Sequence, residues 1–161
     1  MARNGEVNTK FESRRLWSNR ELQAQQLQGG FGFRVSIKSD HDIIRARQKG
    51  RELAAEIGFS STDSTLIATS ISELSRNIIL YAKRGEIDIR TLTEGERTGI
   101  LVIASDNGPG IPDIRRALQD GYSTSHSLGL GLPGVKRLMD DFQIVSNGRG
   151  TTVTVKKWKR Q

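Results

Sequence analysis

An apolar run that ends in a carboxylate and a turn of glycines and prolines constrains this chain more than any other feature. Residues 100–104 are all apolar, a pattern that predicts a strand buried on both faces. The run reaches Asp106, and residues 107–112 then contain two glycines and two prolines. The sequence therefore predicts an interior strand that presents a carboxylate at its end, beside an irregular turn.

Two interpretations of this turn are open. In the first, Gly108 and Gly110 let a flat ligand approach the backbone, and Asp106 accepts a hydrogen bond from an exocyclic amine such as that of adenine. In the second, Asp106 bonds only to its own backbone and Pro112 opens the next helix. The turn alone slightly favours the second interpretation, so the choice depends on the rest of the chain.

A helix predicted over residues 62–82 carries a second group of candidate residues. Its apolar side chains recur at helical spacing and are Ile67, Ile71, Leu74 and Ile78. Glu73 and Asn77 stand four residues apart on a neighbouring face of the same helix. A carboxylate suits a general base, and an amide oxygen suits Mg²⁺. The alternative is that both residues bond to solvent or to nearby backbone.

Hydroxyl groups and glycines are concentrated at residues 122–134, ahead of a helix predicted at 135–141. The candidate residues in this segment are Ser123, Thr124, Ser125, Gly129, Leu130, Gly131 and Leu132. Backbone N–H groups in such a loop and at a helix start can bind phosphate. A Gly-Leu-Gly-Leu sequence is weak evidence, and a surface loop is the common alternative. The two histidines lie apart in sequence without cysteine, so no His/Cys metal site is expected.

Further strands are predicted at residues 31–38, 86–91, 142–146 and 151–158. The last two are joined by a hairpin turn at 147–150, and a turn at 94–99 leads into the apolar strand. A helix with Asp40 as its cap is predicted to stop at Gly58. Thr151 directly follows the second turn, where its hydroxyl could reach a ligand beside Asp106 or serve only as a strand residue.

Length and composition limit the class of protein. The 161 residues fit one domain at 31–160, preceded by a polar, basic arm at 1–30 that is either mobile or docks a partner, or else is a tag or misplaced start. A chain with no cysteine, no signal peptide and no long apolar run is expected to be cytoplasmic and outside the membrane. The net charge of +7 raises the question of nucleic acid, but the basic residues cluster at the two ends and favour a solvated surface or an acidic protein partner.

Four segments stand in a recognisable order along the chain. They are Glu73-x₃-Asn77, Asp106-x-Gly108-x-Gly110, Gly129-x-Gly131 and Gly150-Thr151. This set resembles the GHKL ATPase superfamily, whose Bergerat fold is shared by gyrase B, Hsp90 and histidine kinases. Residues 71–78, 106–115, 120–125 and 131–140 are most similar to the small serine/threonine kinases of bacterial partner switching, and closest to the RsbT-type switch kinases of the stressosome.

The resemblance implies a fold and a nucleotide. The fold would be an α+β two-layer sandwich, with a mixed, mostly antiparallel sheet and helices on one face. ATP would be bound through Asp106 and Thr151 at the adenine amine, with Gly108, Gly110 and Ile111 lining the base.

The resemblance also implies the catalytic parts. Glu73 would be the base for the acceptor hydroxyl, and Asn77 would hold Mg²⁺ against the phosphates. Residues 123–132 would form the lid over the nucleotide. One departure is Ser127, because related kinases that bind a sigma factor often carry an arginine two residues before the lid Gly-x-Gly.

The implied partners are proteins. The phosphate acceptor would be a serine or threonine of a STAS-domain protein, and the released kinase would then bind and activate a PP2C-type phosphatase. Two alternatives remain: an anti-sigma factor kinase that binds a sigma factor directly, and a nucleotide-gated binding module with negligible kinase activity.

Overall fold

A computed structural model describes residues 30–119 and 131–161. Within these ranges, five strands form one sheet in the order β1-β2-β3-β5-β4. The strands are β1 (Gly32–Ile37), β2 (Gly85–Glu94), β3 (Arg97–Asp106), β4 (Asp141–Asn147) and β5 (Gly150–Trp158). Every described pairing is antiparallel, so the expected mixed sheet has no parallel pair in this part of the chain. β3 is the central strand, and Asp106 lies at its end as predicted.

The described residues form four helices, which lie on one face of this sheet. They are α1 (Asp40–Glu56), α2 (Ser61–Ala82), α3 (Ile114–Ala117) and α4 (Gly131–Leu138). The predicted stripe of α2 is buried against inward-facing strand residues such as Val102 and Val155. This burial of apolar area is the main contribution to stability. The predicted two-layer α+β sandwich is confirmed.

The helix ends differ in detail from the sequence predictions. Ser39, not Asp40, is the N-cap of α1, and Asp42 accepts the N–H of Ser39 at 3.1 Å. At the other end, Gly58 has φ 87° as predicted, and the N–H of Phe59 bonds the carbonyl of Ala54 at 2.9 Å. This is the Schellman arrangement, which satisfies carbonyls that the helix itself leaves unpaired.

Two other boundaries were predicted wrongly. α4 begins at Gly131 rather than at 135, because Pro133 is accommodated in the first turn of a helix, where no intrahelical N–H is needed. The turn expected over residues 94–99 is only two residues long, with Gly95 at φ 61°. Two-residue hairpin turns need positive φ, and they match the twist of the flanking strands.

The opposite face of the sheet, which we call the outer face, carries a second apolar cluster. Leu92, Leu101, Ile103 and Trp158 form it, and all four are buried. In the described ranges, the helices contact the strands on the other side. The predicted arm at 1–30 lies outside the described residues except for Gly30, whose N–H bonds the carbonyl of Thr91 at 3.1 Å. Among the described helices, none is long and apolar enough to cross a membrane.

Candidate active site

A cavity of about 330 Å³ opens between α2, the ends of β3 and β5, and the segments around α3 and α4. Its walls are largely apolar, and its polar groups converge from separate elements. This combination is typical of a small-molecule site. Eight of the predicted site residues line it: Glu73, Asn77, Asp106, Gly110, Ile111, Gly131, Leu132 and Thr151.

Helix α2 brings Glu73 and Asn77 to the cavity because residues four apart lie on one helical face. Glu73 is only 8% exposed. Its Oε1 accepts a hydrogen bond from Nη1 of Arg76 at 2.9 Å, and its Oε2 accepts the N–H of Gly131 at 3.3 Å. The carboxylate is therefore held between α2 and the first residue of α4, which follows the segment 120–130.

Asp106 and Thr151 meet because β3 and β5 pair in a register that sets these two residues opposite each other. Oδ1 of Asp106 accepts the N–H of Gly108 at 2.9 Å and the N–H of Thr151 at 3.3 Å. Within the described residues, no donor reaches Oδ2. Oδ1 thus anchors the turn as the second interpretation predicts. Binding of a ligand amine by Asp106 stays a prediction.

Ser146 bonds two residues that line the cavity, Ile111 and Thr151, and the sequence reasoning missed it. Its Oγ accepts the N–H of Ile111 at 2.8 Å and lies 2.8 Å from Oγ1 of Thr151. The turn 107–112 is thereby attached to the hairpin of β4 and β5. A serine at an inward position of β4 was the available signal, because Ser146 faces Thr151 across the hairpin.

The two glycines of the turn are explained by chain packing. Gly110 has φ 81°, and a Cβ there would meet the carbonyl of Asn147. Gly108 is not among the residues that line the cavity, and its predicted role beside the base stays a prediction. A Cβ on it would lie 2.7 Å from Cβ of Ala82, so glycine is needed for the close approach to the end of α2.

Other lining residues were not predicted. Tyr81 follows Asn77 by one helical turn, a spacing that could have revealed it. Asp113 caps α3 by accepting the N–H of Arg116 at 3.0 Å, and both residues line the cavity. Arg116 is the basic side chain among the described lining residues. The predicted lid residues Ser123, Thr124, Ser125, Gly129 and Leu130 lie outside the described residues.

The residues present fit a purine nucleotide. Asp106 Oδ2 can accept from an exocyclic amine, and Ile78, Ala104 and Val153 provide an apolar wall for a flat ring. For a metal, the described residues contain no group of three or more His, Asp or Glu side chains. Asn77 therefore fits a Mg²⁺ ion whose other ligands are phosphate oxygens of the nucleotide and water.

Known proteins match this chain along most of its length. The profile of the histidine kinase-like ATPase domain matches residues 38–157. The serine/threonine-protein kinase RsbT of Bacillus subtilis is 52% identical over 127 residues, which are 78% of this chain and 96% of that protein. An anti-sigma F factor of Thermoanaerobacter sp. (strain X514) is 31% identical over 120 residues, which are 70% of this chain and 82% of that protein.

One solved structure adds support for the fold. The RsbU and RsbW domains of a Mycobacterium tuberculosis protein superpose with a TM-score of 0.54 at 21% identity. The match covers 80% of this chain and 33% of that one, so the chain spans about a third of that protein.

The fold and the cavity define an ATPase domain of the GHKL type. The chain belongs to the histidine kinase-like ATPase family. The similarity to RsbT confirms the prediction that the chain is a protein-serine/threonine kinase.

Proposed function

We propose that this chain is the kinase of a partner-switching module. In the proposal, the domain at 31–160 binds ATP with Mg²⁺ and transfers the γ-phosphoryl group to a serine or threonine of a STAS-domain protein of a stressosome. The released kinase then binds and activates a PP2C-type phosphatase, in the cytoplasm. The observation that carries the proposal is the convergence of Glu73, Asn77, Asp106 and Thr151 on one cavity.

The chain's residues divide the work as follows. Asp106 and Thr151 select and orient the base, while the apolar wall excludes water from it. A carboxylate oxygen of Glu73 accepts the proton of the acceptor hydroxyl while the hydroxyl oxygen attacks the γ-phosphorus. The bond between the γ-phosphorus and the β,γ-bridging oxygen breaks, and ADP leaves with that oxygen. Phosphoryl transfer depends mainly on positioning and charge stabilisation, so these contributions suffice in kind.

Mg²⁺ and a basic side chain would stabilise the negative charge of the phosphates. Mg²⁺ bound beside Asn77 would neutralise phosphate charge. This chain has Ser127 where related kinases that bind a sigma factor often carry an arginine. We assign the phosphate-facing role to Arg116 instead, because Arg116 lines the cavity. In Arg116→Ala, we expect weaker ATP binding. Unchanged affinity for both ATP and AMP would remove Arg116 from the site.

The test is incubation of the chain with γ-labelled ATP, Mg²⁺ and STAS-domain proteins from the same cell, followed by phosphosite mapping. We expect label on a STAS serine or threonine, and none with Asn77→Ala. Intact ATP binding without transfer to any STAS protein would instead favour the nucleotide-gated binding module.

A second candidate is an anti-sigma factor kinase, which the similarity to an anti-sigma F factor favours. Its distinguishing property is direct binding of a sigma factor. A pull-down with purified sigma factors and with the PP2C-type phosphatase separates the two candidates. The switch kinase is expected to bind the phosphatase and no sigma factor, and the anti-sigma factor kinase the reverse. Both the ATP-loaded and the nucleotide-free chain are tested. The chain is 52% identical to RsbT and 31% identical to the anti-sigma F factor. This difference favours the first candidate, in which the partner is the phosphatase.

A further inference from the structure

A groove of about 890 Å³ lies at the end of the sheet where β1 ends, β2 begins and β3 ends. Three basic side chains line it: Lys38, Lys83 and Arg84. Within the described ranges, no ion pair or side-chain hydrogen bond engages any of the three. Glu86, a carboxylate of the same groove, pairs with Arg34 at 3.2 Å instead. Cations that share a groove without ion-pair partners repel one another, and an anionic partner would relieve that repulsion.

The backbone of Lys83 provides a second observation. Lys83 follows the last residue of α2 with φ 67° and ψ −33°, and among the described residues it is the one residue other than glycine with positive φ. Helices commonly end on glycine at such a position, because a side chain there strains the backbone. Gly85 stands nearby, and yet the strained position carries a lysine that lines the groove. Strain of this kind is found most often where a side chain serves a function.

We propose that this groove, which we call the basic groove, docks an acidic segment of the protein that receives the phosphoryl group. The inference rests on the proposed function and adds to it the site at which the acceptor protein is held. Carboxylates of the segment pair with Lys38, Lys83 and Arg84. Ser36 and Asn107 also line the groove, and their side chains can bond the backbone of a peptide.

A protein segment suits the basic groove better than a nucleic acid does. Asp106 also lines the groove, and its carboxylate would repel a continuous phosphate backbone. The separate carboxylates of a peptide can instead lie at the basic side chains alone. The net charge of +7 adds long-range attraction toward an acidic protein.

The position of the basic groove suits a docking site that is separate from the site of transfer. The groove and the nucleotide cavity share Asp106 and no other described lining residue, so an occupied groove leaves room for the nucleotide. Along α2, the rise from Glu73 to Lys83 is about 15 Å. A small domain is about 30 Å across, so one acceptor protein can reach the groove and Glu73 together.

The kinetics of phosphoryl transfer to a STAS-domain acceptor test the docking. The double variant Lys38→Ser with Arg84→Ser is expected to raise the KM for the acceptor by roughly 3–30-fold, the contribution of two exposed ion pairs. Both kcat and the affinity for ATP should stay unchanged, because neither residue lines the nucleotide cavity. The matched control is Arg47→Ser with Arg160→Ser, which removes the same charge outside the groove and should leave the KM unchanged.

Lys83→Gly separates a docking role from a structural one. Glycine relieves the strain at φ 67°, so this variant is expected to melt at a higher temperature than the unchanged chain while its KM for the acceptor rises. A lysine that served only the fold would not show this opposite pair of changes. The conservative pair Lys38→Arg with Arg84→Lys keeps both charges and should retain the KM of the unchanged chain.

Four outcomes would overturn the inference. The first is transfer by the double groove variant with an unchanged KM for the acceptor. The second is an equal rise of the KM in the control variant, which would indicate an effect of net charge alone. The third is loss of binding to a single-stranded oligonucleotide in the groove variant without a change in KM, which would assign the groove to nucleic acid. The fourth is the absence of transfer by the unchanged chain to any acceptor, and this outcome alone would overturn the proposed function as well.

Discussion

The guanidinium of Arg76 lies 2.9 Å from the carboxylate of Glu73, less than one helical turn away on α2. Glu73 is buried, and its second carboxylate oxygen accepts the N–H of Gly131, the first residue of α4. Arg76 therefore orients the group to which the proposed mechanism assigns proton transfer.

Glu73→Gln is expected to bind ATP nearly as well as the unchanged chain and to lose phosphoryl transfer by roughly 10²–10⁴-fold, the usual contribution of a general base. The amide keeps the size of the carboxylate but cannot accept the proton at neutral pH. Calorimetry with ATP and transfer assays under single-turnover conditions measure the two effects separately. Two variants of Arg76 test its role in orienting Glu73. Arg76→Lys keeps the positive charge and should retain more phosphoryl transfer than Arg76→Ala. Undiminished transfer by Glu73→Gln would reject the base assignment.

Asp106→Asn is expected to weaken ATP binding by about 1–3 kcal/mol without loss of fold. The Asn oxygen can still accept from Gly108 and Thr151, whereas an NH₂ group replaces Oδ2 and opposes the donor of the adenine amine. Titration calorimetry against ATP measures the loss, and a thermal melt of the unliganded chain checks the fold. A nucleotide with a carbonyl at that ring position, such as ITP, should lose its disadvantage in the variant. Equal affinities of both proteins for ATP would remove Asp106 from the base site.

Ser146→Ala is expected to destabilise the chain by about 1–2 kcal/mol and to weaken nucleotide binding as well. The substitution leaves the N–H of Ile111 without its acceptor and removes the neighbour of the Thr151 hydroxyl. Urea denaturation measures the stability change. Thr152→Ala is a control on the other face of the same hairpin, and it should leave nucleotide affinity unchanged.

Gly110→Ala is expected to destabilise the fold by about 1–3 kcal/mol, because a side chain is strained at φ 81° and meets the Asn147 carbonyl. Gly148→Ala is the matched control in the facing hairpin, since a Cβ there meets nothing within 4 Å. Chemical denaturation of both variants gives the comparison. Similar stabilities would show that the turn relaxes away from β4.

Stability is expected to decline in acid partly through Asp88. Burial raises the pKa of this carboxyl, but hydrogen bonds from Arg90 and Arg34 outweigh it and leave the pKa below its usual value. The stabilisation is therefore complete above the ordinary Asp pKa of about 4 and is lost as pH falls through the lowered folded-state value. The free energy of unfolding of Asp88→Asn, measured across pH 2–5 by urea titration, should vary less with pH than that of the unchanged chain. Parallel curves would contradict this account.

Sequence patterns predicted the parts of the site that depend on regular periodicity. Helical spacing identified Glu73 and Asn77, and the apolar run identified the strand that carries Asp106. The packing of Gly108 against Ala82 was not predicted, because Ala82 is distant in sequence and the contact follows from how α2 ends beside the turn. Ser146 and Arg116 were missed for the same reason, since their contribution depends on tertiary neighbours. The start of α4 was missed because glycine and proline are compatible with both a loop and the first turn of a helix.

The position of β5 between β3 and β4 has a consequence during protein synthesis. Thr151 and Val153 of β5 line the cavity, and among the described strands β4 pairs with β5 alone. A nascent chain whose strand β5 is still inside the ribosomal tunnel therefore has Asp106 at an open sheet edge and cannot enclose a nucleotide. Unfinished chains would thus remain unable to bind ATP, and the binding of ATP would distinguish a completed domain from a truncated one.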